Sequence, residues 1–217
     1  MEGIIYKVQP YQEHARLLFV YTMIGKKTLL AQGSQKLNHP NRILAQYLTQ
    51  IEFKDQDKSF LTLSEAKIIN DYAQIKEDYK LTKSAALMLE IIDLLIVDSY
   101  DHQEIYQSLI KALQSKQLEI ATLSFALKIL RPLGYPLDLN ADGRKVLGVN
   151  VEKGGLVYQG DPDIIDLDVK ESIVLLKMNF IPYQDLEAYE IETIAKIKSF
   201  ILKYYQYHLQ STLKNLQ

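Results

Sequence analysis

Histidine, carboxylate and lysine are the side chains here whose spacing could carry chemistry. The four histidines, His14, His39, His102 and His208, show no metal-ligand spacing, and no HExxH pair exists. Asp161, Asp163, Asp166 and Asp168 form an acidic run that could hold a divalent cation and so serve a metal-dependent nuclease. The run lacks the central glycine and terminal glutamate of an EF-hand loop, and a solvated loop is the simpler reading. Gly154-Gly155 reads as a hairpin turn rather than a phosphate cradle. No phosphate loop and no Gly-x-Ser-x-Gly elbow is present. The absence of cysteine removes disulfides, thiolate nucleophiles and thiolate metal sites. These absences lower the odds of an enzyme without excluding one, and we name no catalytic residue, metal ligand or cofactor.

The cations are more informative. Net charge is −2, yet no Asp or Glu lies between Glu13 and Glu52. Residues 1–54 hold seven Lys/Arg (Lys7, Arg16, Lys26, Lys27, Lys36, Arg42, Lys54) against Glu2, Glu13 and Glu52. The remainder holds 18 basic and 24 acidic residues. A positive end on a negative body makes a directed field that steers a polyanion to one face. Arg16, Lys26, Lys27, Lys36 and Arg42 are the expected phosphate contacts. Tyr6, Tyr11, Phe19, Tyr21 and Tyr47 are the rings at hand for stacking bases, or equally for packing a core. Hairpin and loop lysines are expected at the surface. Such a site would bind without sequence preference and weaken steeply with salt.

The elements that must position these residues change character along the chain. Residues 3–8, 14–22, 27–32, 47–53 and 59–66 read as five short strands, with a charged turn at 55–58. Five strands in so short a module suggest a small closed barrel, OB-like or SH3-like. From Thr82, a plausible N-cap, the period becomes helical. Helices are expected over 82–96, 105–113, 118–130 and 169–178, and from about Leu186 to the end. The breaker Arg131-Pro-Leu-Gly134 closes the third, and residues 145–150 and 155–159 form a small hairpin. The fold class is α+β, an N-terminal β module (1–80) followed by a helical domain (81–217) with a hairpin insertion. No apolar run is long enough to span a membrane, and the N-terminus has no signal-peptide pattern, so a cytoplasmic location is expected.

In order, Gly3-Ile-Ile-Tyr-Lys7, Tyr11-x-Glu13-x-x-Arg16-Leu17-Leu18, Gly25-Lys26 and Gly33-x-x-Lys36 resemble the bacterial recombination mediator RecO family. Phe125-x-Leu127-x-x-Leu130-x-x-Leu133-Gly134-Tyr135, Gly154-Gly155-Leu156 and Tyr204-x-x-Tyr207-His208-Leu209 continue the likeness over nearly the whole chain. The resemblance implies an OB-fold barrel at residues 1–80 and a non-enzymatic DNA repair protein. Such a protein binds single- and double-stranded DNA, anneals strands, and works with RecR and single-stranded DNA-binding protein (SSB) to load a recombinase. It also implies capture of the acidic, apolar SSB tail by the helical domain, for which Phe125, Lys128, Leu130 and Arg131 are the candidates. The alternative is a helical protein-interaction scaffold with a peptide-binding barrel.

Two departures stand out. The two Cys-x-x-Cys pairs that hold zinc in many members are absent. The second pair falls at Tyr158 and Asp161 and the first near Asp142 and Lys145, leaving a degenerate loop at about 138–165 that is expected to be held by packing alone or to be mobile. The family's Lys-Gly-x-Arg-Lys loop reads Gln32-Gly33-Ser34-Gln35-Lys36, two charges fewer. DNA affinity is then expected to be weaker, or carried by residues such as Lys203 and Lys214.

Overall fold

The computed structural model describes residues 1–55 and 60–217. Part of the charged turn expected at 55–58, and the first residue of the strand expected at 59–66, lie outside the described residues.

The chain divides into two compact units, Met1–Gln107 and Ser108–Gln217. In the first, β1 (Glu2–Tyr11), β2 (Ala15–Thr22), β3 (Gly25–Ala31), β4 (Gln50–Glu52), β5 (Phe60–Thr62) and β6 (Lys67–Asn70) form one curled sheet. The order is β5-β3-β2-β1-β4-β6, with β3 and β5 parallel and the other pairs antiparallel. This is the half-barrel of an OB-like module, with six strands instead of five. The sixth, Lys67–Asn70, is too short to show alternation in sequence. Alternate side chains fill the concave face: Ile5, Leu18, Val20, Leu29, Ala31, Ile51, Phe53, Leu61 and Leu63. A short helical turn, α1 (Asn41–Leu44), leads into Ala45, which closes that core.

A second short turn, α2 (Ala73–Lys76), precedes α3 (Tyr79–Leu95). Asp78 caps α3, its carboxylate accepting from the Lys80 and Leu81 amides at 2.8 and 3.1 Å. The cap thus lies four residues before Thr82. Thr82 sits inside the helix and donates its hydroxyl to the Ile75 carbonyl at 2.7 Å. The switch from strand to helix periodicity falls at 70–79, whereas the division between compact units falls after Gln107 because α3 packs against β1.

α4 (His102–Leu113) runs into the second unit, which is built around α5 (Leu118–Lys128). Every α5 residue from Leu118 to Leu127 except Glu119 is buried, so the helix is apolar all round and wrapped by its neighbours. β7 (Val146–Asn150) and β8 (Gly155–Tyr158) form the expected hairpin, and β9 (Leu167–Asp168) pairs with β7. α6 (Val169–Phe180) starts from a capping box between Asp168 and Glu171. α7 (Ile191–Leu209) starts later than the sequence suggests and ends before the terminus, at Gln210 in a left-handed conformation (φ 51°). Both α6 and α7 pack on α5. Polar atoms of this core are satisfied: Ser124 donates to the Met178 carbonyl and Tyr205 to the Ala126 carbonyl, each at 2.6 Å.

Phe125 is fully buried in this core. Phe125→Ala should lower unfolding stability by about 3–5 kcal/mol in urea titrations, and a loss under about 1 kcal/mol would show that the ring is not a core residue.

Candidate nucleic-acid interface

The five barrel cations are not gathered on one surface. Strand alternation sends Lys26 and Lys27 of β3 to opposite faces. Lys27 points to the concave side and pairs with Asp55 at 3.5 Å, the two side chains only 15% and 21% exposed. Lys26 points the other way, donating to the Asp93 backbone carbonyl at 3.0 Å and lying 5.5 Å from the Tyr6 ring centre. Burial pushes its ammonium pKa down, against the opposing pull of Asp93 and Asp98. Arg16 donates to the Ala45 carbonyl at 3.0 Å and so ties β2 to the end of α1. The expectation that hairpin lysines lie free at the surface is corrected here. The C-terminal part of α3 reaches Lys26 on one side of β3, and Asp55 reaches Lys27 on the other.

Lys36 and Arg42 differ. Among the described residues neither has a carboxylate partner. They stand on three turns joined end to end: Lys36 N–H bonds the Gly33 carbonyl (2.9 Å), His39 N–H the Lys36 carbonyl (3.3 Å), and Arg42 N–H the His39 carbonyl (2.9 Å). Gly33 is at φ +70°, and a β-carbon there would collide with the His39 ring, so the first turn needs glycine. Gln35 fixes the segment to the β1–β2 hairpin, its amide nitrogen donating to the Gln12 and Ala15 carbonyls at 3.2 and 2.6 Å. Ser34 is buried and donates to Ala31 at 2.7 Å. Gln35, where the resemblance led us to expect a cation, is thus used as a brace. Lys36 is exposed, Arg42 half-buried, and Leu37 and Ile43 are exposed beside them.

The rings separate similarly. Phe19 and Tyr21 share a strand face, as expected, but Tyr21 is buried with its hydroxyl 3.2 Å from His102 Nδ1, and Tyr6 is buried next to Phe19. Tyr47 is half-buried, and burial raises its phenol pKa to about 12. Phe19 is half-buried and Tyr11 exposed, so these two retain the most open ring surface. Lys7, not among the site residues expected from sequence, stands beside the Phe19 ring. It lies 5.5 Å from the Phe19 ring centre and 3.2 Å from Asp93. Only the register that places Lys7 opposite Phe19 reveals it.

The tail-binding candidates divide the same way. Phe125 and Leu130 are buried core residues, and Arg131 is exposed. Lys128 donates to the Ile181 carbonyl at 2.5 Å and stacks 4.1 Å from the Tyr183 ring centre. Burial pushes its pKa down to about 8. His208 is a structural residue, its Nε2 2.7 Å from the Val151 carbonyl and its ring against Tyr204.

The 138–165 loop is neither held by packing alone nor left without ties. Arg144 pairs with Asp142 (2.7 Å) and Asp161 (3.1 Å) and stacks 4.0 Å over Tyr158. Lys153 bridges Asp161 (2.6 Å) and Asp163 (3.4 Å), and Asp161 also accepts from the Tyr158 amide. Hydrogen bonds from Lys153 and Tyr158 hold the Asp161 carboxyl below its usual range. Two cations therefore sit among the carboxylates of this loop, paired with them. Among the described residues no group of three or more His, Cys, Asp or Glu could hold a metal ion. The rest of the acidic run is engaged too: Asp166 with Asn150, Val151 and Lys203, and Asp168 with the start of α6.

Two measurements check these assignments. Lys128 loses its proton at lower pH in the native chain than in the unfolded one, so between about pH 8 and 10 its contribution to stability rises with pH. After reductive methylation, carbon-13 NMR should show one lysine titrating near pH 8, and a lowest midpoint above pH 10 would contradict its burial. Asp161→Asn should raise hydrogen exchange across 142–163 while leaving α5 protected. Unchanged exchange there would mean that the ion pairs do not hold the loop.

The family model "Recombination protein O C terminal" matches residues 76–217. DNA repair protein RecO of Clostridium perfringens is 30% identical over 148 residues, which cover 62% of this chain and 58% of that protein. The Oceanobacillus iheyensis protein of the same name is 22% identical over 222 residues, covering 94% of this chain and 86% of its own. That of Bacillus mycoides is 29% identical over 140 residues, 62% of this chain and 56% of the relative. The matched stretch thus spans less than two thirds of several of these relatives. With most of its length matched by the family model, and the half-barrel and helical units in the expected order, this chain belongs to the recombination protein O family.

Proposed function

We propose that the protein is a non-catalytic DNA repair and recombination mediator that binds single- and double-stranded DNA through the turns at 33–43. The observation that carries the reading is the pair Lys36 and Arg42, which have no carboxylate partner among the described residues and stand on a braced segment inside a 38-residue stretch free of carboxylates. Phosphates are drawn to the two charges, and the exposed Leu37, Ile43 and Tyr11 offer apolar surface to unstacked bases. Two strands brought to one basic surface repel each other less, which favours annealing. Family membership supports the remaining roles: cooperation with RecR, docking of an SSB tail on the helical unit with Arg131 as the exposed cation, and action in the cytoplasm. No described helix is long and apolar enough to cross a membrane.

A second reading, a protein-interaction scaffold, is favoured by the internal use of Lys26, Lys27 and Arg16. Titration of a fluorescent single strand across a salt series separates the two. Lys36→Ala/Arg42→Ala should weaken binding for every sequence and flatten the log–log salt slope by about 1.4, the value for two lost single-strand phosphate contacts. Lys26→Ala should change the slope little. Binding that is absent at low salt, or indifferent to the double substitution, would support the scaffold instead.

A further inference from the structure

The second unit carries a groove of about 760 Å³ between one turn of α7 and the segment 162–166. Both walls are held in place. Asp166 accepts from the Val151 amide at 2.9 Å and from Asn150 Nδ2 at 3.1 Å, and Lys203 of α7 reaches its other oxygen at 3.2 Å. That floor ties one wall to the other. Asn150 Nδ2 also donates to the Ile164 carbonyl at 2.9 Å. On the helix side the Tyr207 ring stands edge-on to His208, which is fixed at the Val151 carbonyl. A groove formed in advance spends little of its binding energy on ordering itself.

Its lining is amphipathic and negative. Tyr207 on the helix wall and Ile164 on the opposite wall are 56% and 78% exposed. The charged residues are Glu152, Asp163 and Asp166 against Lys203. Asp166 and Lys203 neutralise each other. Asp163 meets Lys153 at 3.4 Å, whereas Glu152 is exposed and has no ion pair or hydrogen bond among the described residues. We propose that this groove receives an arginine-bearing segment of a protein partner.

Charge and shape select that occupant. A phosphate chain or an acidic tail would be repelled by Glu152 and Asp163. A purely apolar segment would strip water from Glu152 and offer it no partner. Arginine has an apolar stem and a planar cation. The stem suits Ile164, the guanidinium suits the face of Tyr207, and its forked N–H groups suit the Glu152 carboxylate. Lysine brings the same charge but no planar face and no fork. The volume is that of a pocket for a whole ligand, so residues beside the arginine fill the remainder. None of these groups belongs to the turns at 33–43, and the proposal stands apart from the DNA-binding reading.

Amide NMR of the nitrogen-15-labelled full chain, titrated at low salt with the capped peptide acetyl-Leu-Arg-Leu-amide, tests it. Saturable shifts should be confined to residues 150–152, 162–166 and 203–207, with a dissociation constant on the order of 1 mM that weakens as salt is added. The same peptide with citrulline, which keeps the shape and loses the charge, or with glutamate should move nothing. Glu152→Gln and Tyr207→Ala alter exposed side chains, and each is checked for an unchanged spectrum elsewhere. Each should weaken the arginine peptide by about threefold or more. Equimolar spermidine should not displace it. The proposal is overturned by no shift at about 10 mM peptide, by shifts outside the groove, by citrulline binding equally well, or by two variants that bind as the wild type does. Displacement by spermidine overturns the choice of a protein partner and gives the groove to polyamines.

Discussion

Both faces of the β1–β2–β3 ribbon are covered, and this constraint governs the first unit. On the concave side Leu18, Val20, Leu29 and Ala31 close the half-barrel core. On the other side Tyr6 and Tyr21 are buried, Tyr21 against His102 and Tyr106, while α3 packs on β1. A strand has no third side, so any long cation on it must end beside one of these layers. Lys26 and Lys27 do so by snorkelling in opposite directions to Asp93 and Asp55. The field of the basic end is thus partly spent inside the unit.

What remains for an outside ligand is set by the turns beyond β3. There the backbone satisfies itself through consecutive turns, Gln35 and Ser34 brace it, and Lys36 and Arg42 need no internal partner. On the proposed function such a segment would make a weak polyanion site, because each phosphate contact adds one counterion's worth of affinity and two cations offer few. The same segment exposes Leu37 and Ile43, which a purely electrostatic surface would not need.

The second unit shows another replacement. Where the resemblance led us to expect a degenerate zinc loop, Asp142, Tyr158 and Asp161 converge on Arg144, with Lys153 as a second bridge. Exposed ion pairs are individually weak, but a planar guanidinium shared between two carboxylates and a ring is held on three sides. A clasp of this kind needs no metal, and it loosens as pH falls through the depressed Asp161 range. α5, by contrast, is held by burial and by hydrogen bonds to its neighbours, Ser124 donating to the Met178 carbonyl and Tyr205 to the Ala126 carbonyl.

Sequence alone settled the α+β class, the strand-to-helix order and the hairpin at 146–158, because alternation, helical period and glycine turns are local signals. It also marked the carboxylate-free stretch and the missing cysteines, which are matters of composition. It missed β6 and the Asp78 cap, and it ran the last helix past Gln210, where the local pattern is short or ambiguous. It could not sort the cations or the rings. Whether Lys26 is free depends on Asp93, 67 residues away, and whether Phe125 faces solvent depends on helices packed around α5. Those are long-range contacts, and only the tertiary structure decides them.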